Sequence, residues 1–175
     1  MSILGPIKNI KIVRNNNNII SGESFEKLYN NLDHLSEGEK KYIKNSSIEI
    51  LKKCVPSSTT LTSKTDKYLN NTGLIIGKIQ SGKTLSFTSV MALARDNGYR
   101  VVIVISGRTN LLLKQTIDRL KIDLVKNDKY IKVLTNCEVP EKRVKTTSQI
   151  KRVLKDSSGK LTKMCIIPIL KHQKI

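Results

Sequence analysis

Two glycines, a lysine and a threonine stand between residues 77 and 84 at the spacing of a phosphate-binding loop. The segment consists of Gly77, Lys78, Ile79, Gln80, Ser81, Gly82, Lys83 and Thr84, which match G-x-x-x-x-G-K-[ST] at every fixed position. Successive backbone N–H groups of such a loop point inward and bind an anion. The glycines permit backbone angles that bring the chain close to phosphate groups. The segment therefore predicts a site for ATP or another purine nucleoside triphosphate.

Lys83 and Thr84 carry the two side chains of this loop that can act directly on a triphosphate. We expect the Lys83 ammonium to bind the β- and γ-phosphates, which makes Lys83 the candidate catalytic residue. We expect the Thr84 hydroxyl to ligate a Mg²⁺ ion that bridges phosphate oxygens. ATP and Mg²⁺ are therefore the predicted cofactors. The alternative is an ordinary glycine-containing turn between a strand and a helix.

The elements around the loop favour the phosphate-binding interpretation. Leu74 to Ile76 form a short apolar run that predicts a strand ending at the loop, and residues 84–97 predict a helix that Asn97 and Gly98 end. Further strands are predicted over Arg100 to Ile105, Tyr130 to Leu134, and Met164 to Leu170, the last interrupted by Pro168. Further helices are predicted over 109–126 and, weakly, 147–155. Alternating strands and helices predict an α/β fold with a parallel sheet and flanking helices, of the P-loop NTPase (RecA-like) class.

The chain before the loop predicts a small helical segment. Residues 23–34 place three apolar side chains on one helical face, at Phe25, Leu28 and Leu32. Ser36 and Glu39 have the spacing of a capping box, which predicts a helix from there to about Cys54. We therefore predict two parts: a helical N-terminal segment with a linker over 1–72, and an incomplete P-loop NTPase domain over 73–175.

Apolar spacing also predicts which face of each longer helix is buried. In the helix ending near Cys54, these residues are Tyr42, Ile43, Ile48, Ile50 and Leu51. In the helix over 84–97, they are Phe87, Val90, Met91 and Ala94. In the helix over 109–126, they are Leu112, Leu113, Thr116, Ile117, Leu120 and Leu124. The apolar strand over Arg100 to Ile105 predicts burial on both faces.

A second candidate site follows the strand that ends at Ile105. Its residues are Gly107, Arg108, Thr109 and Asn110, at the sheet edge where ligands of open α/β folds bind. These residue types suit contacts with a sugar–phosphate backbone, which makes the loop a candidate nucleic-acid site. The alternative is a solvated turn in which Thr109 or Asn110 caps the next helix, and both roles are compatible.

The net charge of the chain also indicates a polyanionic partner. Lys and Arg number 32 against 14 acidic residues, which gives a net charge of +18. Because such a charge attracts polyanions, we expect DNA as a partner, with RNA as the alternative. The three cysteines and two histidines have no metal-ligand spacing. The longest apolar run, Val101 to Ile105, is too short to span a bilayer, so we expect a cytoplasmic protein without a membrane partner.

Two segments together resemble the first lobe of superfamily-two helicase-type motors. They are GLIIGKIQSGKT over residues 73–84 and VVIVISGRTNLLLKQTIDRL over residues 101–120. They are more similar still to a family of helicase-like ATPases, described as endonucleases, from restriction and phage-defence loci, whose phosphate loop also contains the Gln at position 80. The resemblance covers roughly 73–171 and implies an ATP-driven, DNA-directed enzyme with nuclease or repair roles. It makes Ser106 to Asn110 the segment that grips a DNA strand, with Gln115 and Arg119 on the helix behind.

One departure from this family limits the expected activity. Its motors use an Asp-Glu pair at the end of a later apolar strand to hold Mg²⁺ and activate water, and no such pair follows an apolar run here. We therefore expect part of a longer motor, with the rest of that motor as partner and weak hydrolysis alone. The alternatives are a small P-loop kinase or nucleotide-binding protein, and an inactive basic remnant that binds nucleic acid.

Overall fold

The computed structural model describes residues 19–54, 76, 83–135 and 143–171 of the chain. The helices are α1 (Glu23–Asn30), α2 (Glu37–Cys54), α3 (Lys83–Asp96), α4 (Asn110–Leu120) and α5 (Arg143–Leu154), and a π-helical segment, Lys121–Val125, continues α4. The strands are β1 (Val101–Ile105), β2 (Ile131–Val133) and β3 (Met164–Ile169). The fold of these residues is mixed α/β.

The described strands form one parallel sheet in the order β1-β3-β2. β3 pairs with β1 from Val101 opposite Cys165 to Ile105 opposite Ile169, and its first half pairs with β2. Helices α4 and α5 each connect one strand of this sheet to the next, as parallel pairing requires. The predicted parallel α/β arrangement is confirmed for these strands, whereas the P-loop class remains a prediction.

Pro168 lies inside β3 and does not interrupt it, which corrects the sequence prediction. The strand runs unbroken to Ile169, with Pro168 opposite Val104. Met164 N donates to Tyr130 O on the β2 side, so alternate residues of β3, including Pro168, turn their backbone groups to that side. β2 pairs with β3 only as far as Ile166. The absence of an N–H on Pro168 therefore costs no hydrogen bond to β2.

The start of α2 and the end of α3 have the predicted local structure. Ser36 N and Oγ donate to Glu39 Oε2 at 2.9 and 2.7 Å, and Glu39 N donates back to Ser36 Oγ at 3.4 Å, which forms the capping box. After α3, Gly98 has φ +85° and Tyr99 N donates to Ala94 O at 2.9 Å. This is the six-to-one hydrogen bond of a Schellman motif, so the helix end predicted at Asn97 and Gly98 is confirmed.

Helices α1 and α2 share one hydrophobic core with α3 and the sheet. Phe25 and Leu28 of α1 are buried as predicted, and Leu51 of α2 joins them against Met91 and Leu93 of α3. Leu32, the third residue predicted for the face of α1, is also buried. The described parts of 1–72 and 73–175 are therefore in direct contact, and their separation into two parts remains a prediction.

Three predicted core residues are exposed, which corrects the predicted helix faces. Tyr42 is 74 % exposed, and Ser47, which is fully buried, takes a core position of α2 instead. Phe87 and Leu112 are 36 % and 45 % exposed. The core instead contacts the later turns of these helices, at Met91 to Ala94 and at Leu120 and Leu124.

β1 is buried on one face rather than two, which is a further correction. Val101, Ile103 and Ile105 alternate along the strand and are exposed, whereas Val102 and Val104 between them pack against the core. Alternation of this kind places all three exposed side chains on one face of the sheet. No described residue covers that face enough to bury them.

Candidate phosphate site at the start of helix α3

Helix α3 begins at Lys83, so the last two residues of the predicted phosphate loop lie in its first turn. The sequence predicted this helix to begin at residue 84 and to open directly after the loop. Gly77, Lys78, Ile79, Gln80, Ser81 and Gly82 lie outside the described residues. The first N–H groups of a helix have no partner within it and carry the positive end of the helix dipole, which suits an anion.

The predicted strand before the loop is described at one residue only. Ile76 belongs to neither a helix nor a strand and is 87 % exposed. Leu74 and Ile75 lie outside the described residues. The strand over 74–76 therefore remains a prediction.

Thr84, the predicted Mg²⁺ ligand, receives a hydrogen bond from a distant arginine. Arg119 Nη1 donates to Thr84 Oγ1 at 2.8 Å, across 35 residues of sequence. A hydroxyl has two acceptor positions and one donor, so this contact leaves Thr84 Oγ1 one further lone pair. Thr84 O accepts from Thr88 Oγ1 at 3.1 Å, which lies one turn later in α3. The structure thus brings a guanidinium to a residue of the predicted phosphate loop.

The backbone that carries Arg119 is held by buried residues that follow it in sequence. Leu120 is fully buried and Leu124 is 2 % exposed, and both belong to the core. After Leu120 the helix becomes π-helical, with Lys126 N donating to Lys121 O at 2.9 Å. π-Helical turns within α-helices occur frequently at functional sites, because the extra residue changes which side chains face a neighbour.

Asp123, on the π-helical segment, is the acidic residue that interacts electrostatically with Arg119. Partial burial raises the pKa of the Asp123 carboxyl, and the positive charge of Arg119 opposes that rise. Asp96 and Asp128 are committed to structural roles. Asp96 accepts backbone hydrogen bonds at the start of α1, and Asp128 accepts from the Ser24 hydroxyl and from Tyr130 N.

The predicted nucleic-acid loop, Gly107 to Asn110, lies at the carboxyl end of β1 next to that of β3. Lys171 N donates to Gly107 O at 3.3 Å, which ties the loop to the end of β3. Thr109 caps α4, because its side chain accepts from Leu112 N at 3.3 Å. Arg108 and Asn110 are exposed. The capping role proposed for Thr109 is confirmed, and nucleic-acid contact by this loop remains a prediction.

The described residues contain neither a metal cluster nor a membrane helix. Within 19–54, 83–135 and 143–171, no three His, Cys, Asp or Glu side chains form a group that could hold a metal ion. A Mg²⁺ ion held by one hydroxyl and by phosphate oxygens would not require such a group. In the same ranges, every helix is too short or too polar to cross a bilayer.

Comparisons of the chain with protein-family models, with curated proteins and with solved structures found no match. The resemblance to helicase-like ATPases therefore remains a prediction from the two segments that carry it. Arg119 is the site residue that the sequence did not assign to the phosphate loop. The resemblance placed it on the helix behind the nucleic-acid loop, and a pattern of local spacing contains no signal for a contact between two helices.

Proposed function

We propose that the chain binds a Mg²⁺–nucleoside triphosphate at the start of α3, as the ATP-binding part of a DNA-directed, helicase-like ATPase. The observation that carries this proposal is that α3 begins at Lys83, so that the last two residues of a complete phosphate-loop motif open the helix. A motif of this kind functions only where a loop opens into a helix, because the helix supplies unpaired N–H groups to the anion.

The charges at this position agree with the proposed ligand. Lys83 supplies one cationic group by sequence, and the Arg119 guanidinium lies 2.8 Å from the Thr84 hydroxyl. Asp123, whose carboxyl has a raised pKa, is the acidic residue that interacts electrostatically with Arg119. A triphosphate with its Mg²⁺ retains negative charge, so these cations favour its binding. Thr84 is the residue that would hold Mg²⁺ here, and the ion would supply charge neutralisation between phosphate oxygens.

Slow hydrolysis is part of the same proposal. Asp96 and Asp128 are buried and accept hydrogen bonds from backbone N–H groups, so neither is available to a metal-bound water. Activation of the attacking water by a carboxylate is what a motor ATPase requires in addition to phosphate binding. The chain by itself is therefore proposed to bind nucleotide and to hydrolyse it far more slowly than a complete motor.

Equilibrium binding of labelled ATP in the presence of Mg²⁺ tests this function directly. We expect Lys83→Ala to raise the Kd for ATP by at least about tenfold, because a cation at the β- and γ-phosphates is removed. The matched control is Lys151→Ala, which removes the same charge from an exposed position on α5 and should leave the Kd within about twofold. Equal affinities of the wild type and Lys83→Ala would refute the proposed site, as would a wild type that does not bind ATP. Repeating the titration with DNA present shows whether the two ligands affect each other.

A further inference from the structure

We infer that Arg119 binds the terminal phosphate of the nucleotide, and that it distinguishes a triphosphate from a diphosphate. This inference rests on the proposed nucleotide site and adds a residue from a different helix to it. It begins from the contact between Arg119 Nη1 and Thr84 Oγ1 at 2.8 Å. Both residues belong to the described part of the chain.

The geometry places the guanidinium within reach of the phosphate oxygens. Thr84 would hold Mg²⁺, and the ion would neutralise charge on the phosphate oxygens beside it. A guanidinium at hydrogen-bond distance from the Thr84 hydroxyl is therefore separated from those oxygens by a short distance, before any side-chain rotation. Arg119 is exposed, so its long side chain can cover that distance without displacing the core.

The direction of approach favours the terminal phosphate. Backbone N–H groups of a phosphate loop enclose the inner phosphates. Arg119 reaches Thr84 from the neighbouring helix α4, and Thr84 is the residue that would hold the Mg²⁺ of the outer phosphates, so the guanidinium lies nearer to them than to the inner phosphate. Only one of the five guanidinium donors contacts Thr84 among the described residues, so the planar group has further donors for a phosphate.

The support around Arg119 is suited to a positioned side chain. Leu120 and Leu124 fix the backbone on either side of the π-helical transition, as described above. Asp123 lies four residues later and has a favourable electrostatic interaction with Arg119. The described ion pairs include none between Arg119 and Asp123. The guanidinium therefore remains available to an anion.

A comparison of ATP and ADP binding tests the inference. We expect Arg119→Ala to weaken binding of Mg²⁺–ATP by about tenfold or more and binding of Mg²⁺–ADP by less than about threefold. Arg119→Lys keeps the charge and loses the planar fork, so its ATP affinity should lie between the two. The matched control is Arg152→Ala, an exposed arginine on α5, which should leave the ratio of ATP to ADP affinity unchanged.

Each other result overturns the inference. Unchanged ATP affinity in Arg119→Ala would mean that the arginine does not touch the ligand, even if Lys83→Ala abolishes binding and the proposed function stands. Equal losses for ATP and ADP would assign Arg119 to an inner phosphate or to support of α3. Tighter binding of Mg²⁺–ATP would mean that Arg119 competes with Mg²⁺ for Thr84. A wild type that binds neither nucleotide would remove the site and the inference together.

Discussion

Asp123 shows how a single residue near the candidate site connects ionisation to stability. Burial raises the pKa of its carboxyl above the ordinary value, although the charge of Arg119 acts in the opposite direction. The folded chain therefore binds this proton more tightly than the unfolded chain does. Ionised Asp123 consequently destabilises the fold, and this cost appears as the pH rises through the pKa of the unfolded chain and then that of the folded chain.

Asp123→Asn is therefore expected to stabilise the protein at neutral pH. Because the carboxyl is only partly buried, the gain should be modest, roughly 0.5 kcal/mol at pH 7. The gain should shrink as the pH falls, since the wild-type carboxyl is then neutral in both the folded and the unfolded chain. Urea unfolding of both variants at pH 7 and near pH 3 measures the difference. Asp118→Asn, at an exposed position on α4, is the control. A gain that is the same at both pH values would contradict the assigned cause.

At the scale of elements, Asp96 connects the start of α1 to the end of α3 through hydrogen bonds. Its side chain is 2 % exposed and accepts hydrogen bonds from Gly22 N at 3.0 Å, Ser24 N at 3.1 Å and Phe25 N at 2.9 Å. The residue before α1 is Gly22, which has no side chain to cap the helix itself. A Cβ atom at Gly22 would lie 2.9 Å from Asp96 Cγ, so the glycine leaves space for the carboxylate. The last residue of α3 thus caps α1.

We expect Asp96→Ala to destabilise the protein by about 2–3 kcal/mol, since three backbone donors at the start of α1 lose their acceptor. Asp96→Asn retains one oxygen and should cost less. Urea unfolding measures the loss, and hydrogen exchange locates it. The amides of Ser24 and Phe25 should exchange faster in Asp96→Ala, whereas those of β3 should change only as global stability does. Unchanged exchange at Ser24 and Phe25 would show that the carboxylate is not their cap.

The same elements show which structural features the sequence contained. The capping box at Ser36 and the left-handed turn at Gly98 depend on residues within one turn, so their chemistry is local and was predicted. The cap that Asp96 provides spans 71 to 74 residues, and no local pattern indicates it. Burial was predicted less well, because the exposed Tyr42 and Phe87 have the spacing of core residues. Which part of a helix contacts the core depends on how the helices pack.

The candidate site was predictable to the same extent. The eight-residue motif and the helix beginning at Lys83 follow from local spacing, and so does the cap at Thr109. The contact of Arg119 with Thr84 depends on the position of α4 relative to α3, which the sequence pattern does not contain. A π-helical segment also breaks the regular spacing that helix prediction assumes, although the burial predicted for Leu124 within it is confirmed.

At the scale of the whole molecule, the net charge of +18 determines how binding to DNA should depend on salt. If basic side chains neutralise DNA phosphates, they release condensed counterions, and the logarithm of the association constant falls linearly with the logarithm of salt concentration. This electrostatic term exists for any basic surface. The position of the contacts therefore has to be tested with single charges.

The charge of Arg108 tests whether DNA contacts the loop from Gly107 to Asn110 or the basic surface in general. It is exposed in the loop at the carboxyl end of β1, next to the helix that Thr109 caps. For duplex DNA, we expect Arg108→Ala to reduce the slope of log association constant against log salt concentration by about the value of one phosphate contact. We expect Arg152→Ala on α5 to leave this slope unchanged. Fluorescence anisotropy over a range of salt concentrations measures both slopes. Equal reductions in both variants would indicate diffuse attraction by the basic surface, and Gly107 to Asn110 would then have only their structural role at the start of α4.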